Sequence, residues 1–418
     1  MAYLRVLDNV HRSQQRVGYL KHLLVRCVAL ETSNLEVLGH DLSSTVTRSI
    51  PVGLTSALAD YVQRRLTDGV YRLLRSQVAT WQSKGTATRV HMELQDLYLA
   101  DSSQLPSRTG KLVSADWRRY PYLGIGLGLI RPGTWSPLDR GMALLRLTPK
   151  TEQEAFREYH PEANPLLLSS AQRMLFLYCF LENDGDVLKR LYAQLGEKES
   201  FSDRDAGDLL PAVLRAIAQP LWNRSMPVEE RDKLDRLLKV AKSVERWHGR
   251  PYTGGGAREH ASRVRLEPFA DLGFLLKDDP YRYEYCLAPA GQAFFAALEP
   301  AADVGTFLDT AFFQTWAAAF SPPDVRPATS AEMRATLVRA WDDIKSPLGY
   351  APIEDVALLA GIYALTEQGV YFEIATARQF LRDWQKESPT AVRFSVDRMG
   401  HMAHVRLLDV PVQAGRLP

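Results

Sequence analysis

The 418-residue sequence has few cysteines, no long apolar run and almost no net charge. Cys27, Cys179 and Cys286 are far apart in apolar surroundings, a pattern typical of buried reduced thiols and not of a disulfide framework. No stretch approaches the roughly 18 uncharged apolar residues of a membrane span. The apolar run at 22–25 is cut by Arg26, so we expect no secretory signal, no membrane contact and a cytoplasmic protein.

The charges nearly cancel, because 51 basic residues stand against 49 acidic ones for a net charge of +2. Dedicated DNA-binding domains are often more basic, so the total does not indicate a nucleic-acid partner. The distribution is more informative. Between Arg231 and Arg265 there are ten basic and four acidic residues, a local excess of six. A local excess of this kind is typical of an electrostatic contact surface.

Signatures of catalysis are also missing. Gly254–Gly256 is not followed by Gly-Lys-Ser/Thr, and His401 and His404 have no neighbouring cysteine to complete a zinc site. The acidic residues at 182–186 lack calcium-loop spacing, and no Gly-x-Ser-x-Gly elbow occurs. We therefore predict no cofactor, no metal and a non-enzymatic protein, with a nuclease of unrecognised class as an alternative.

What the sequence does contain is a phrase that occurs twice. Leu-Gly-Leu-Ile at 127–130 is followed by Gly-Met-Ala-Leu-Leu at 141–145, and Leu-Gly-Phe-Leu at 272–275 by Gly-Gln-Ala-Phe-Phe at 291–295. Each phrase fits a helix, two short strands and a further helix. We expect the glycine of each Leu-Gly pair to lie just past a helix with positive φ. The later glycine of each phrase is predicted to open the next helix.

Further elements follow from apolar spacing and turn residues. The sequence predicts a buried helix over 166–181, a turn at Asn183–Asp186 and a second helix from about Asp186. An apolar helix is predicted over 303–320, followed by a Pro-rich interdomain linker at 321–327. Beyond the linker the sequence predicts three helices and a hairpin, at Ser330–Ile344, Pro352–Leu365, Glu373–Gln385, 392–396 and 404–408.

These segments resemble the winged-helix superfamily, many of whose members bind DNA; no single family is indicated. The resemblance implies a mainly α protein with small β-hairpins (α+β), built of tandem winged-helix units joined by helical spacers. The expected divisions are an N-terminal helical segment at 1–50, a winged-helix-like unit at 51–150, a helical spacer at 151–227, a second unit at 228–298, an apolar helix and linker at 299–330, and a C-terminal winged helix-turn-helix at 331–418.

Two DNA-contacting surfaces are predicted from the resemblance and the local charge. The terminal candidates are Thr376, Arg378, Gln379, Arg382 and Lys386 on the third helix, with Arg393, Arg398, His401 and Arg406 on the hairpin. The second set comprises Lys233, Arg236, Lys242, Arg246, Arg258, Arg263 and Arg265. An ordinary charged helix surface is the alternative for the second set, and an ordinary solvated face is the alternative for the terminal set, because acidic residues interleave with it. Those residues are Glu373, Asp383, Glu387 and Asp397.

The resulting hypothesis is a DNA-binding regulator, or the recognition subunit of a multiprotein DNA-acting system, with double-stranded DNA and protein partners. Unequal winged units in tandem resemble recognition modules of restriction and mobile-element systems, which implies a phage-defence role and a nucleoid location. A second hypothesis is a docking scaffold, as in chromosome-organising complexes. The aromatic helix between Phe307 and Phe320 favours docking if its side chains are exposed, and speaks against it if they are buried.

Overall fold

A computed structural model of the chain describes residues 120–131, 137–150, 167–221, 228–246, 257–277, 283–321, 324–346, 348–396 and 402–408, with a few positions before residue 25 (5–7, 17–18, 20–21 and 24). The described part is mostly helical with small sheets of two or three strands, which confirms the predicted mainly α class. The predicted elements at 25–119 lie outside the described residues.

The helices of the described part follow one another in chain order. They are α1 (Tyr120–Gly126), α2 (Asp139–Arg146), α3 (Ser170–Leu195), α4 (Asp203–Ala218), α5 (Val228–Arg246), α6 (Ala257–Asp271), α7 (Pro289–Leu298), α8 (Val304–Thr310), α9 (Phe312–Phe320), α10 (Ser330–Ile344), α11 (Ile353–Gln368) and α12 (Ile374–Glu387). The strands are β1 (Phe201–Ser202), β2 (Leu275–Leu276), β3 (Glu284–Leu287), β4 (Arg326–Pro327), β5 (Ala351–Pro352), β6 (Val370–Tyr371), β7 (Val392–Val396) and β8 (Met402–Leu407).

Helix α3 lies in the centre of the core and is continuous through Asn183–Asp186, so the predicted turn there is wrong. Asn183 donates its side-chain amide back to the carbonyl of Cys179 at 2.9 Å, inside the same helix. Gly185 provides room for Val304, whose Cγ1 lies 2.5 Å from where a Cβ would stand. Packing on this side therefore overrides the turn preference of Asn-Asp-Gly.

Two antiparallel sheets have the same strand order. In β1-β3-β2 and in β5-β8-β7 the last strand of the chain lies in the middle and the first strand lies at one edge. In each sheet the first strand leads directly into a helix, β1 into α4 and β5 into α11. The internal series α3-β1-α4-α5-α6-β2-β3 thus matches the terminal series α10-β5-α11-α12-β7-β8, apart from the additional α5 in the first and β6 in the second.

The repeated phrase has the same backbone geometry in both copies. Gly128 follows α1 with a φ of 69° and Gly273 follows α6 with a φ of 86°, as predicted from the Leu-Gly pairs. The next residue then accepts a hydrogen bond from the backbone just before the following helix. Leu138 N–H donates to the carbonyl of Leu129 at 2.9 Å, and the corresponding donation from Ala288 to Phe274 is also 2.9 Å.

The second glycine of each phrase allows that carbonyl to approach the first turn of the helix. A Cβ on Gly141 would lie 2.2 Å from the carbonyl oxygen of Leu129. A Cβ on Gly291 would lie 2.2 Å from the carbonyl oxygen of Phe274. No side chain fits at such a distance, so both positions require glycine for close packing of backbone against backbone.

The apolar segment at 303–320 is two helices, α8 and α9, that meet at Ala311, so the predicted single helix is wrong. The break is held by Glu373, whose carboxylate accepts from the backbone N–H of Phe313 at 3.1 Å and of Gln314 at 2.8 Å. Burial raises the pKa of this carboxyl group. Glu373 is therefore a buried helix cap and not part of a solvated face.

The segment predicted as an interdomain linker is paired with the terminal elements. Strand β4 runs parallel to β6, with Arg326 opposite Val370 and Pro327 opposite Tyr371. One hydrophobic cluster contains buried residues from both sides of this segment, including α3, α9 and α11. The terminal elements therefore share a core with the internal ones, and the predicted domain boundaries stay predictions.

The close approach at Gly291 gives a test of the repeated phrase. Gly291→Ala should lower the free energy of unfolding by about 1–3 kcal/mol through overpacking, although alanine is the better helix former. Gln292→Ala, an exposed neighbour in α7, is the control and should change stability by less than about 0.5 kcal/mol. Urea unfolding followed by circular dichroism measures both, and an alanine at 291 that stabilised the protein would contradict the geometry.

Candidate nucleic-acid interface

Helix α12 has one face in the core and the opposite face in solvent. Its buried residues, which recur at helical spacing, are Ile374, Ala377, Leu381 and Trp384. The exposed side carries four of the predicted DNA-contacting residues, Thr376, Gln379, Arg382 and Lys386. The expectation that this helix presents polar side chains outward therefore holds for these four positions.

Two of these four side chains share a carboxylate. Gln379 donates to one oxygen of Asp383 at 2.9 Å, and Lys386 donates to the other at 2.7 Å. The hydrogen bonds from Lys386 and Gln379 lower the pKa of Asp383. Such exposed pairs contribute little to stability, so both donors can exchange this carboxylate for a phosphate. Arg382 makes no ion pair with any residue that the structure describes.

Arg378 has a different environment. Its guanidinium donates to Glu354 of α11 at 2.8 Å and to Asp309 of α8 at 2.6 Å. Partial burial acts to lower the pKa of Arg378, but the charge of Glu354 and the contact with Asp309 raise it above its ordinary value. This arginine joins α12 to two other helices, so its side chain is engaged within the protein.

The β7–β8 hairpin has an apolar inner face and a basic outer face. Phe394 lies opposite Val405 on the inner side, whereas Arg393 lies opposite Arg406 on the outer side. Neither strand contains an acidic residue. Arg393 is exposed, and the guanidinium of Arg406 lies 5.8 Å from the centre of the Tyr350 ring.

The opposed arginines are unusual because like charges directly opposite in an antiparallel pair are destabilising. Neither arginine forms an ion pair within the described ranges of the chain. His404 also lies on the outer face, close to Asp139 of α2. Burial raises the pKa of Asp139, and His404 opposes that rise. Among the described residues, therefore, no carboxylate is bound to either of these two opposed arginines.

In the second predicted set, two arginines of α6 are engaged inside the protein. Arg265 is almost completely buried and donates to Asp184 at 2.9 Å and to the carbonyl of Leu7 at 3.1 Å. Arg263 donates to Asp203 at 2.6 Å and lies 3.6 Å from the centre of the Tyr283 ring. Both side chains hold elements of the core together, and we leave them out of the candidate interface.

Four of the remaining members of this set lie in α5, and Arg258 lies at the start of α6. Arg236 and Lys242 are exposed, and Lys233 is half-buried. Lys239 is exposed on the same side of the helix, and sequence reasoning missed it although its spacing of three from both neighbours was available. Outside the described residues lie Arg398, His401 and the side chains of Arg246 and Arg258.

Other kinds of site receive no support from the described residues. Within these ranges no group of three or more His, Cys, Asp and Glu side chains is arranged to hold a metal ion. Cys179 and Cys286 are free thiols, and burial raises the pKa of Cys179 to about 11. None of the described helices is long and apolar enough to cross a membrane. The aromatic side chains Phe307, Phe312, Phe313 and Trp316 of α8 and α9 are buried and Phe320 is partly buried, which removes the best support for docking.

No family model, curated protein or solved structure matches this chain.

Two arginines provide a test of which cations are structural. Arg265→Ala leaves Asp184 buried without its partner and should lower the free energy of unfolding by about 3–5 kcal/mol. Arg382→Ala, the same change at an exposed position, should alter it by less than about 0.5 kcal/mol. Replacing both buried partners, by Arg265→Met with Asp184→Leu, should recover part of the loss. Equal losses for the two single variants in urea unfolding would refute this assignment.

The hairpin allows a second test, in which stability rises. Arg393→Thr removes one of two opposed cations and introduces a residue that favours strands, so the free energy of unfolding should increase by about 0.2–1 kcal/mol. Lys386→Thr, which removes a cation from a helix, is the control and should not stabilise the protein. A clear loss of stability in the Arg393 variant would mean that the arginine has an unrecognised intramolecular partner.

Proposed function

We propose that this chain is a non-enzymatic DNA-binding protein whose terminal unit, residues 330–407, is a winged helix-turn-helix that contacts double-stranded DNA. The outer face of the β7–β8 hairpin carries the proposal. Arg393 and Arg406 are held opposite each other there without a carboxylate partner among the described residues. A backbone phosphate bound between them would offset one of the two positive charges and so reduce their repulsion, and arginine is well suited to bind a phosphate with two parallel hydrogen bonds.

The order of elements supports this proposal. In the terminal unit a helix, a short strand, two helices and a hairpin follow one another, and the short strand pairs with the last strand. Between α11 and α12 the chain turns at Gly369, which has a φ of 65°. A short turn with such a glycine between two helices is typical of the helix-turn-helix motif, in which the later helix enters the major groove.

The exposed face of α12 has the chemistry that this role requires. Gln379 presents an amide, which pairs with adenine in the major groove, and Thr376 presents a hydroxyl that either donates or accepts. Arg382 and Lys386 extend the face with cations suited to phosphate. The helix that would read bases is thus adjacent to a hairpin that would hold the backbone, since β7 follows α12 directly.

The proposal includes a role as a regulator or as the recognition subunit of a multiprotein DNA-acting system of the restriction or phage-defence kind. The tandem arrangement supports this part, because the internal series of elements repeats the strand order of the terminal one. Protein partners and a nucleoid location belong to the same proposal. A scaffold that docks through α8 and α9 is not proposed, because their aromatic side chains are buried.

Removing three exposed cations of α12 and the hairpin tests the proposal. Arg382→Ala, Lys386→Ala and Arg393→Ala together should weaken binding to a duplex by about 100-fold, if each contact contributes about 1 kcal/mol net. The salt dependence should also change, since each lost phosphate contact removes about 0.9 from the slope of log K against log salt. Fluorescence anisotropy with a 30-base-pair duplex between about 50 and 300 mM salt measures both quantities.

The control removes the same charge elsewhere. Lys150→Ala, Arg190→Ala and Lys198→Ala together replace three exposed cations outside the terminal unit, and they should leave affinity within about threefold of the unmodified chain. Failure of the unmodified chain to bind any duplex at 50 mM salt would overturn the proposal. Equal weakening by the two triple variants would show that only total charge matters.

A further inference from the structure

We infer that α5 provides a second DNA-contacting surface, which binds backbone phosphates through Arg236, Lys239 and Lys242. The inference rests on the proposed function. It assigns phosphate binding to the internal series of elements, whereas α12 of the terminal series is assigned to base reading. Its starting point is the correspondence between the two series of elements. The place of α12, immediately before the hairpin, is taken in the internal series by α6, and α5 is the helix without a terminal counterpart.

Helix α6 is not accessible to a partner over its described side chains. From Ala261 to Ala270 every residue is buried except Arg263, which is half-buried. Arg263 and Arg265 form ion pairs with Asp203 and Asp184. A groove-reading helix needs an exposed polar face, and this stretch has none. The internal unit therefore needs another element if it is to contact DNA.

Helix α5 has the exposed face that α6 lacks. Its inner side places Leu234, Leu237 and Ala241 in a second hydrophobic cluster, together with α4. Its outer side carries exposed cations at 236, 239 and 242. Because three residues rise by about 4.5 Å, these cations form a row of about 9 Å along the axis. Lys239 and Lys242 make no ion pair with any part of the chain that the structure describes.

The sequence around this row indicates which partner fits. From Arg236 to Arg258 there are six basic residues and one acidic residue, Glu245, so this segment has a net charge of +5, whereas the preceding part of α5 carries Glu229, Glu230, Asp232 and Asp235. Between Arg236 and Arg246 there is no Asn or Gln, the side chains that pair with adenine. Lysine acts as a point charge that suits phosphates, and phosphate contacts fix position but carry no sequence information. The surface is therefore assigned to the DNA backbone, and base reading to α12.

Lys239→Ala with Lys242→Ala in the full chain tests this inference. Affinity for duplexes of unrelated sequence should fall about tenfold and to the same extent for each. The slope of log K against log salt should become about 2 units less steep, as expected for two phosphate contacts. In contrast, Thr376→Ala with Gln379→Ala should change the preference among sequences and leave the slope unchanged. The matched control for charge is Lys150→Ala with Lys198→Ala.

The outcomes separate this inference from the function on which it rests. If the unmodified chain binds no duplex, both fail. A second outcome would contradict only the inference about α5. In that outcome the unmodified chain binds a duplex and the terminal triple variant binds it more weakly, but the α5 double variant has the same slope of log K against log salt as its control. Lys239→Glu with Lys242→Glu should weaken binding further than the alanine pair. Circular dichroism and urea unfolding should match the unmodified chain, because both side chains are exposed.

Discussion

The ion pair between Asp184 and Arg265 is the contact on which the internal elements depend. Asp184 lies in the middle of α3, and Arg265 lies on α6 and also holds the carbonyl of Leu7. Two charges removed from water need each other, since either one left alone is costly. Any shift of α6 along α3 would separate them. The pair therefore specifies how these helices and the segment at 5–7 pack, whatever its net contribution to stability.

That constraint explains why two similar series of elements have different accessible surfaces. In the terminal series, α12 buries one side and leaves the other in solvent, so its polar residues are available. In the internal series, α6 packs against α4 and β2, and its arginines form ion pairs with Asp203 at the start of α4 and with Asp184 of α3. The same strand order thus supports an exposed third helix in one place and a buried one in the other. Fold alone does not assign function.

The sequence predicted best where one local rule acted alone. The predicted bounds of α10 at Ser330–Ile344 agree with the structure, in which Thr329 caps this helix, and the positive φ at Gly128 and Gly273 follows from Leu-Gly pairs. Prediction from the sequence failed at Asn183–Asp186, where packing in the core overrode the turn preference of Asn-Asp-Gly. It also failed at Ala311, where the carboxylate of Glu373 caps the start of α9. Those outcomes depend on partners more than fifty residues away, which spacing does not reveal.

The same distinction applies to charge. The local excess of six between Arg231 and Arg265 combines arginines that serve the core with lysines that face solvent, and the sequence does not separate them. Salt screens charges beyond about 8 Å, so a partner responds to the accessible cations near it and not to the total. A net charge of +2 is therefore compatible with DNA binding. What decides it is how the accessible cations are grouped: among the described residues, Arg393 and Arg406 on the hairpin and Lys239 and Lys242 on α5 form no ion pair.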